Sequence, residues 1–408
     1  MTDDLIEIDM DRRQFMAVAG ALGTASLAGC AGDGGGGGTD GGSTDGGGGG
    51  GGDNQQDVRL NVAISAEVWN FDPALWTDTA TSTVGQLIYD EPVELTTDEK
   101  LAPGLVEEVP SPEDGGTAYE YTLREGLKFH NGDDVTVEDF KYSVDWILNE
   151  ENNSPVRGRF PFVTDTEIVG DRTLRLNLEK PFATLNWWLT RGLEGIVPKG
   201  SRGSVEEGKG PSGLSTNLTN DPSGAGTGPF KFVEWNSGSN VLLERFDDHW
   251  RDDLGNVAEI NIEFIGENSA RLAGLRSGEI SLTNKVPPKD FDSLKQENGI
   301  AAQSVPGNLT QVLYCNVMSD GPMGNVNNRR AVLFGIDAEE ILDEIFYGQG
   351  VVQKGPWYPD SEWTSPKLKD MTLYDPEKAR KELEKAGNPD GFEMEIIATS
   401  GSWFKDEA

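Results

Sequence analysis

The chain has 408 residues, of which 70 are acidic and 34 basic, giving a formal charge of −36 at neutral pH. A field that negative repels nucleic acid and anionic lipid, which excludes a basic nucleic-acid-binding function. The acids are spread along the chain, the pattern of a solvated face adapted to high salt, where screening over a few Å removes self-repulsion.

In chain order, Arg12-Arg13 opens an apolar segment, Phe15 to Leu27, shorter than the roughly 20 residues that span a bilayer core. With an acidic lead-in and Phe15 two positions on, it reads as a twin-arginine signal for export of folded protein. Leu27-Ala28-Gly29-Cys30 resembles a lipoprotein cleavage box, which makes Cys30 the lipid attachment site and 1–30 a signal peptide. From Gly32 to Gly52, 15 of 21 residues are glycine. Such a stretch has no side chains to offset the entropy of ordering. Residues 31–57 are therefore a tether, reaching about 30 Å as a flexible coil.

Beyond the tether, about 350 residues remain, more than one core serves, so at least two domains are expected. Period-two alternation marks half-buried strands. Val58, Leu60, Val62 and Ile64 share one face, then Leu174, Leu176 and Leu178, and then Ile260, Ile262 and Phe264. Another strand begins near Phe230, after a loop-rich stretch from Lys199 to Gly228. Helices carry start signals. Thr136 and Asp139 form a capping box ahead of an apolar stripe of Phe140, Val144, Ile147 and Leu148. Asp337 and Glu340 repeat the box between Ile336 and Ile341, placed as a hydrophobic staple. Asp375, Pro376 and Gly387 mark the start and stop of a further helix. Cys315, in QVLYCNV, is expected as a small buried residue on a strand, and FEMEIIATS as another strand. The mixture of paired strands and strand–helix steps indicates mixed α/β lobes.

Catalytic signatures are missing. With Cys30 committed to lipid, Cys315 alone supports neither a disulfide framework nor a thiolate metal site. His130 and His249 are far apart and in no ligand spacing, so zinc hydrolysis has little support. There is no GxSxG elbow and no phosphate loop. Gly224, Gly226 and Gly228 have the spacing of a dinucleotide fingerprint, but Pro229 and an alternating strand follow where that motif needs a helix, so they read as a turn. A binding protein fits better than an enzyme, and no metal or cofactor is expected.

The succession NFDPA (70–74), LIYDEPVEL, the stretch from Leu101 to Val144 with LREGLKFHNGD, then DRTLRLNLEKPFATL, GTGPFKFVEW, LLERFDDHWR, ARLAGLRSGEI, NNRRAVLFGID and YDPEKARKELEKAGNPDGF resembles the family 5 extracellular solute-binding proteins. These are the dipeptide/oligopeptide-binding group serving ABC importers, here of a halophilic archaeal type. The resemblance implies an α/β, two-lobed periplasmic-binding-protein-like (flytrap) fold with an extra subdomain. On that pattern 58–88 and 222–285 form lobe I, 89–221 the extra subdomain, and 286–408 an incomplete lobe II. The family pattern continues beyond FEMEIIATS, so the rest of lobe II and the return to lobe I are expected to be absent from a chain ending at Ala408.

The implied function is a monomeric, lipid-anchored receptor at the extracellular face of the membrane. It would trap peptides by hinge closure and deliver them to permease subunits with cytoplasmic ATPases. Trp76, Thr77, Asp78 and Thr79, just past the DPA turn, are the implied ligand contacts from lobe I, and Trp357 and Tyr358 those from lobe II, with Tyr314 and Asn316 as further candidates. The same fold could take an oligosaccharide or a nickel or other metal chelate, and a secreted hydrolase or a surface structural protein stays open as a different class.

Overall fold

A computed structural model describes residues 57–96, 100–202, 217–252, 254–304, 312–318, 320–355, 359 and 364–397. Arg12, Arg13, Cys30, the glycine run, Trp357 and Tyr358 lie outside the described residues. Two compact units divide the chain, one ending at Asn284 and the other starting at Lys285.

The strands of the first unit are β1 (Val58–Ile64), β2 (Val93–Leu95), β3 (Leu101–Pro103), β4 (Ala118–Thr122), β5 (Val163–Ile168), β6 (Thr173–Leu178), β7 (Phe230–Asn236), β8 (Asn240–Arg245), β9 (Val257–Phe264) and β10 (Leu282–Thr283). Its helices are α1 (Thr79–Ile88), α2 (Val137–Leu148), α3 (Leu185–Gly192) and α4 (Asn268–Ser277). A five-stranded sheet runs β10-β1-β9-β8-β7. Within it β1 is parallel to both β9 and β10, with Leu60 opposite Ile260 and Val62 opposite Ile262 and Leu282. β8 is antiparallel to β9 and β7. A smaller antiparallel sheet, β4-β6-β5, and the β2-β3 pair complete the unit.

Two apolar cores follow from this layout. One is built on the five-stranded sheet and gathers Ile64, Ile260, Ile262, Val241 and Leu243 with Val84 and Ile88 of α1. The other lies on the β4-β6-β5 sheet. There Leu174, Leu176 and Leu178 take one face of β6, as the alternation required, and Tyr119 and Tyr121 the matching face of β4. α2 closes that core with Phe140, Val144 and Ile147. Its start is the expected reciprocal box: the Asp139 carboxylate accepts from the Thr136 N–H at 2.9 Å, and the Thr136 hydroxyl accepts from the Asp139 N–H. Tyr121 is fully buried, hydroxyl included, and donates to Asn186 Oδ1 at 2.7 Å while Asn186 Nδ2 donates to the carbonyl of Pro110. That chain of bonds removes the cost of two buried polar groups.

The GAGTG stretch shows why it needs glycine. Gly228 N donates to the Ile88 carbonyl at 2.8 Å, and His130 N to the Gly226 carbonyl at 2.8 Å. A Cβ at Gly226 would meet the Ile88 carbonyl and the His130 ring, and one at Gly228 would lie 2.6 Å from the Ile88 carbonyl carbon. The segment is thus a backbone clasp between the end of α1 and the loop before α2. Both histidines of the chain serve this junction. His130 Nε2 donates to the Gly228 carbonyl at 2.9 Å, and burial lowers its pKa to about 4. His249 donates to Asp90 at 2.8 Å, and Trp250 Nε1 donates to the same carboxylate at 2.6 Å.

The DPA turn is held as tightly. Asp72 caps the 3-10 turn Pro73–Leu75 through the Ala74 N–H and takes a forked ion pair from Arg202, with contacts of 2.7 and 2.9 Å. Both side chains are about 95% buried, at 5% and 4% exposure. Removing either partner would strand a charge in a dry environment.

In the second unit, α5 (Pro288–Lys295), α6 (Val326–Gly335), α7 (Ala338–Glu344) and α8 (Pro376–Ala386) follow in order. α6 and α8 pack together, burying Ala331, Phe334 and Ala379, and the chain entering α8 is tied back by Asp375 N to the Phe334 carbonyl at 2.8 Å. α8 has the cap that its sequence announced: Asp375 accepts from Lys378 N, Pro376 opens the first turn, and Gly387 ends it at φ 80°. Of the box at α7, Asp337 accepts from Glu340 N at 3.0 Å.

The strand expectations fail in this unit. Residues 312–318 and 392–397 form no strand, and no strand is present among the unit's described residues. Cys315 is accordingly half-buried instead of buried, while Tyr314 and Ile397 are 89% and 88% exposed. Alternation only makes a segment competent to be a strand; the ladder also needs a partner strand, and among the described residues no strand pairing includes either segment.

Candidate functional site

Because β1, β9 and β10 are parallel, their carboxyl ends open on one edge of the sheet, and the chain leaves each of them there. In open α/β sheets, ligands bind outside this edge. The exit from β1 is Ser65 to Trp69, from β9 Ile265 to Glu267, and from β10 Asn284. The β7–β8 turn, Ser237 to Ser239, closes the same edge, since β8 starts opposite the end of β9 with Asn240 facing Glu263.

The most exposed aromatic of this edge is Trp69, whose residue surface is 71% accessible. Its neighbours are fixed. Val68 and Phe71 are buried in the sheet core on either side, and the Trp69 N–H donates to Thr81 Oγ1 on α1 at 3.2 Å. A large apolar ring is therefore held out in water by a backbone pinned at both flanks. Glu67, two residues earlier, accepts from Ser237 Oγ at 2.8 Å and from Gly238 N at 2.6 Å, bracing the loop against the β7–β8 turn.

Under the β9 exit, Arg271 of α4 is 1% exposed. It donates to the carbonyls of Ile265 and Gly266 at 2.7 and 2.9 Å and to Asn268 Oδ1 at 2.5 Å. Burial lowers its pKa, yet it stays a cation at neutral pH. α1 and α4 both start at this edge. The Asp78 carboxylate already caps the first turn of α1, and the Arg271 guanidinium is spent on bracing the β9 exit.

The expected contacts divide. Trp76 is fully enclosed, with its indole against Gly85 and edge-to-face with Tyr89 at 5.8 Å, so its role here is packing beneath the turn. Asp78 is half-buried and caps α1, accepting from Thr81 N at 2.9 Å. Thr77 and Thr79 are exposed next to it. Tyr314 is exposed, and Asn316 Oδ1 accepts from the Met318 N–H at 3.2 Å. Trp357 and Tyr358 are outside the described residues. Trp69, Glu67 and Arg271 were missed by sequence reasoning. A signal for Trp69 existed: it is the first large apolar residue after the β1 alternation breaks and before the DPA turn.

Among the described residues, no three His, Cys, Asp or Glu side chains are placed to hold a metal ion, and no helix is long and apolar enough to cross a membrane.

Comparison with known proteins gives three findings. The family model described as "Bacterial extracellular solute-binding proteins, family 5 Middle" matches residues 100–406. The chain is 27% identical over 331 residues to the glutathione-binding protein GsiB of Pectobacterium atrosepticum, covering 81% of this chain and 62% of that protein. It is 24% identical to the oligopeptide-binding protein OppA of Bacillus subtilis, covering 71% of this chain and 54% of that one. The chain thus spans less than two thirds of the length of these relatives.

Among solved structures, the periplasmic binding protein AgaA of A. tumefaciens R10 with agropinic acid superposes with a TM-score of 0.69 at 24% identity, over 86% of this chain and 68% of that one. DppA of Helicobacter pylori with the peptide STSA gives 0.67 at 22% identity, over 82% of this chain and 67% of that one. These likenesses establish the fold as the mixed α/β fold of the two-lobed periplasmic binding proteins, as the sequence resemblance implied.

Proposed function

Since the chain belongs to the bacterial extracellular solute-binding proteins, family 5, a family of binding proteins and not of enzymes that serves ABC importers, we propose that it captures di- or oligopeptides by hinge closure and delivers them to a membrane permease. The observation that carries this reading is Trp69, an exposed aromatic on a pinned loop at the carboxyl edge of three parallel strands, next to the first turn of α1. Relatives named for glutathione and oligopeptides support the peptide class.

In this reading 58–88 and 222–285 are lobe I, 89–221 the extra subdomain and 286–408 the lobe II part of the chain. The ligand lies over Trp69, Thr77, Asp78 and Thr79, with Trp76 packing beneath them, and Trp357 and Tyr358 contribute from the second unit. The protein is a monomer without catalytic activity. The twin-arginine pair Arg12-Arg13 exports it folded, and a lipid on Cys30 holds it at the cell surface through the glycine tether.

Calorimetric titration in molar salt tests the reading, with di- to pentapeptides, glutathione, oligosaccharides and nickel chelates as ligands. Peptide binding that weakens at least tenfold in Trp69→Ala at unchanged melting temperature is expected, since burying an indole face contributes about 1.5–3 kcal/mol. Sugar or chelate binding with no response to peptides would overturn the peptide assignment, and turnover of any ligand would overturn the binding-protein reading.

A further inference from the structure

The second core of the first unit presents an aromatic surface that ligand capture does not use. On α3, Leu185 and Leu189 face inward, while the adjacent Trp187 and Trp188 are each 44% exposed. Trp188 continues into a row of rings, 6.5 Å from Phe182, which is 5.4 Å from Phe162, and Lys180 Nζ lies 3.9 Å over the Phe162 face. Arg191, one turn beyond Trp187, is exposed. From Lys180 to Leu193 the chain carries these two cations and no acidic residue, although 70 of its 408 residues are acidic. Of the two flanking acids, Glu194 points inward and is 2% exposed, while Glu179, next to Lys180, is exposed.

Two half-exposed indoles with Lys180 and Arg191 at the two ends of their segment have the composition of a membrane-interface contact. The net charge does not prevent this, because charges farther away than about 8–10 Å are screened at physiological salt and only the local ones decide. We propose that the Trp187–Trp188 face seats the extra subdomain on the lipid headgroup layer. This rests on the reading that the protein is tethered to the membrane through Cys30: a leash holds the face at millimolar effective concentration near lipid, so a weak contact suffices to orient the molecule. The face belongs to the core of the β4-β6-β5 sheet, not to the sheet whose carboxyl edge carries Trp69. Seating it therefore leaves the candidate ligand edge free.

The test uses the full chain with Cys30→Ser, so that no acyl chain contributes, and vesicles of phosphatidylcholine with or without phosphatidylglycerol. The expected result is vesicle binding with quenching of tryptophan emission by brominated phosphatidylcholine. Both should be lost in Trp187→Ser/Trp188→Ser while the melting temperature is unchanged. Should that variant fold poorly, Lys180→Gln/Arg191→Gln is the second arm, with affinity for the phosphatidylglycerol vesicles falling ~tenfold and affinity for pure phosphatidylcholine unchanged. Absence of binding to either vesicle at physiological and molar salt, or binding that the tryptophan variant retains, would overturn the proposal. So would self-association that the tryptophan variant abolishes, which would assign the face to a second copy of the chain. Peptide titration is unaffected by all of these outcomes, so a failure here is separable from a failure of the transport reading.

Discussion

Replacing Glu91 by Gln should stabilise the first unit at neutral pH. Glu91 follows α1, and its Oε1 accepts from Gln86 Nε2 at 2.9 Å. Burial, and then the negative charge of Glu194, push its pKa from 4.5 up to about 8, with Glu94 adding and Gln86 and Arg191 opposing. Glu194 is also raised, chiefly by burial, against the influence of Ser82, Arg159 and Arg191. The folded protein therefore keeps a proton on Glu91 that the unfolded chain has released, and stability must fall as pH rises from about 4.5 to about 8.

At roughly 1.4 kcal/mol per pH unit the loss approaches 3 kcal/mol at pH 7 and levels off near 5 kcal/mol above pH 8, as upper figures. A Gln side chain has the shape of the protonated acid and can still accept from Gln86, so Glu91→Gln removes this slope. The assay is urea unfolding at fixed salt from pH 4.5 to 9, followed by tryptophan fluorescence, since seven of the ten tryptophans lie in the first unit. The two proteins should be equally stable near pH 4.5 and diverge by several kcal/mol at pH 8. Parallel curves, or a variant that is weaker at pH 8, would refute the reasoning.

His130 works in the opposite direction. With its pKa lowered to about 4 by burial, its stability is full above pH 6.5 and drains as pH falls through 4, so His130→Gln should blunt the acid limb of the same urea series. Asp72→Asn leaves Arg202 without its counter-charge and should cost about 3–5 kcal/mol in urea unfolding at pH 7. Gly226→Ala forces a methyl onto the Ile88 carbonyl and the His130 ring; a loss of ~1–3 kcal/mol is expected by the same measurement. Melting temperature should rise with KCl from dilute to molar, and a flat or falling curve would remove high-salt adaptation as the reason for the acidic surface.

What could be read from the sequence followed the physics of each signal. Alternation in β1, β6 and β9 was legible because one face of each strand meets a core and the other meets water, so the pattern is written in the side chains themselves. The starts of α2 and α8 were legible because the cap is local: Thr136 with Asp139, and Asp375 with Pro376, complete their bonds within one turn. Residues 312–318 and 392–397 were misjudged because strand formation depends on a partner elsewhere. The enclosure of Trp76 and the exposure of Trp69 were not legible for a related reason. Both are tryptophans flanking one turn, and which of them is enclosed depends on Gly85 and Tyr89, within and just after α1, where that helix folds back over the indole. The clasp of Gly226 and Gly228 on Ile88 was likewise invisible, since only the turn, and not what approaches it, is encoded nearby.

The position of β1 has a kinetic consequence. The first strand to emerge during synthesis pairs with β9 and β10, whose residues come about 200 positions later, as with Val58 opposite Val257 and Val62 opposite Leu282. At about 5–20 residues per second, the ribosome takes some 10–40 s to supply those partners. Throughout that wait, Val58 to Ile64 is a segment with one apolar face and both edges bare, a form prone to sticking to other nascent chains. The topology thus leaves β1 dependent on partners made last, and deleting β10 should convert soluble product into aggregate even though it removes two residues of sheet.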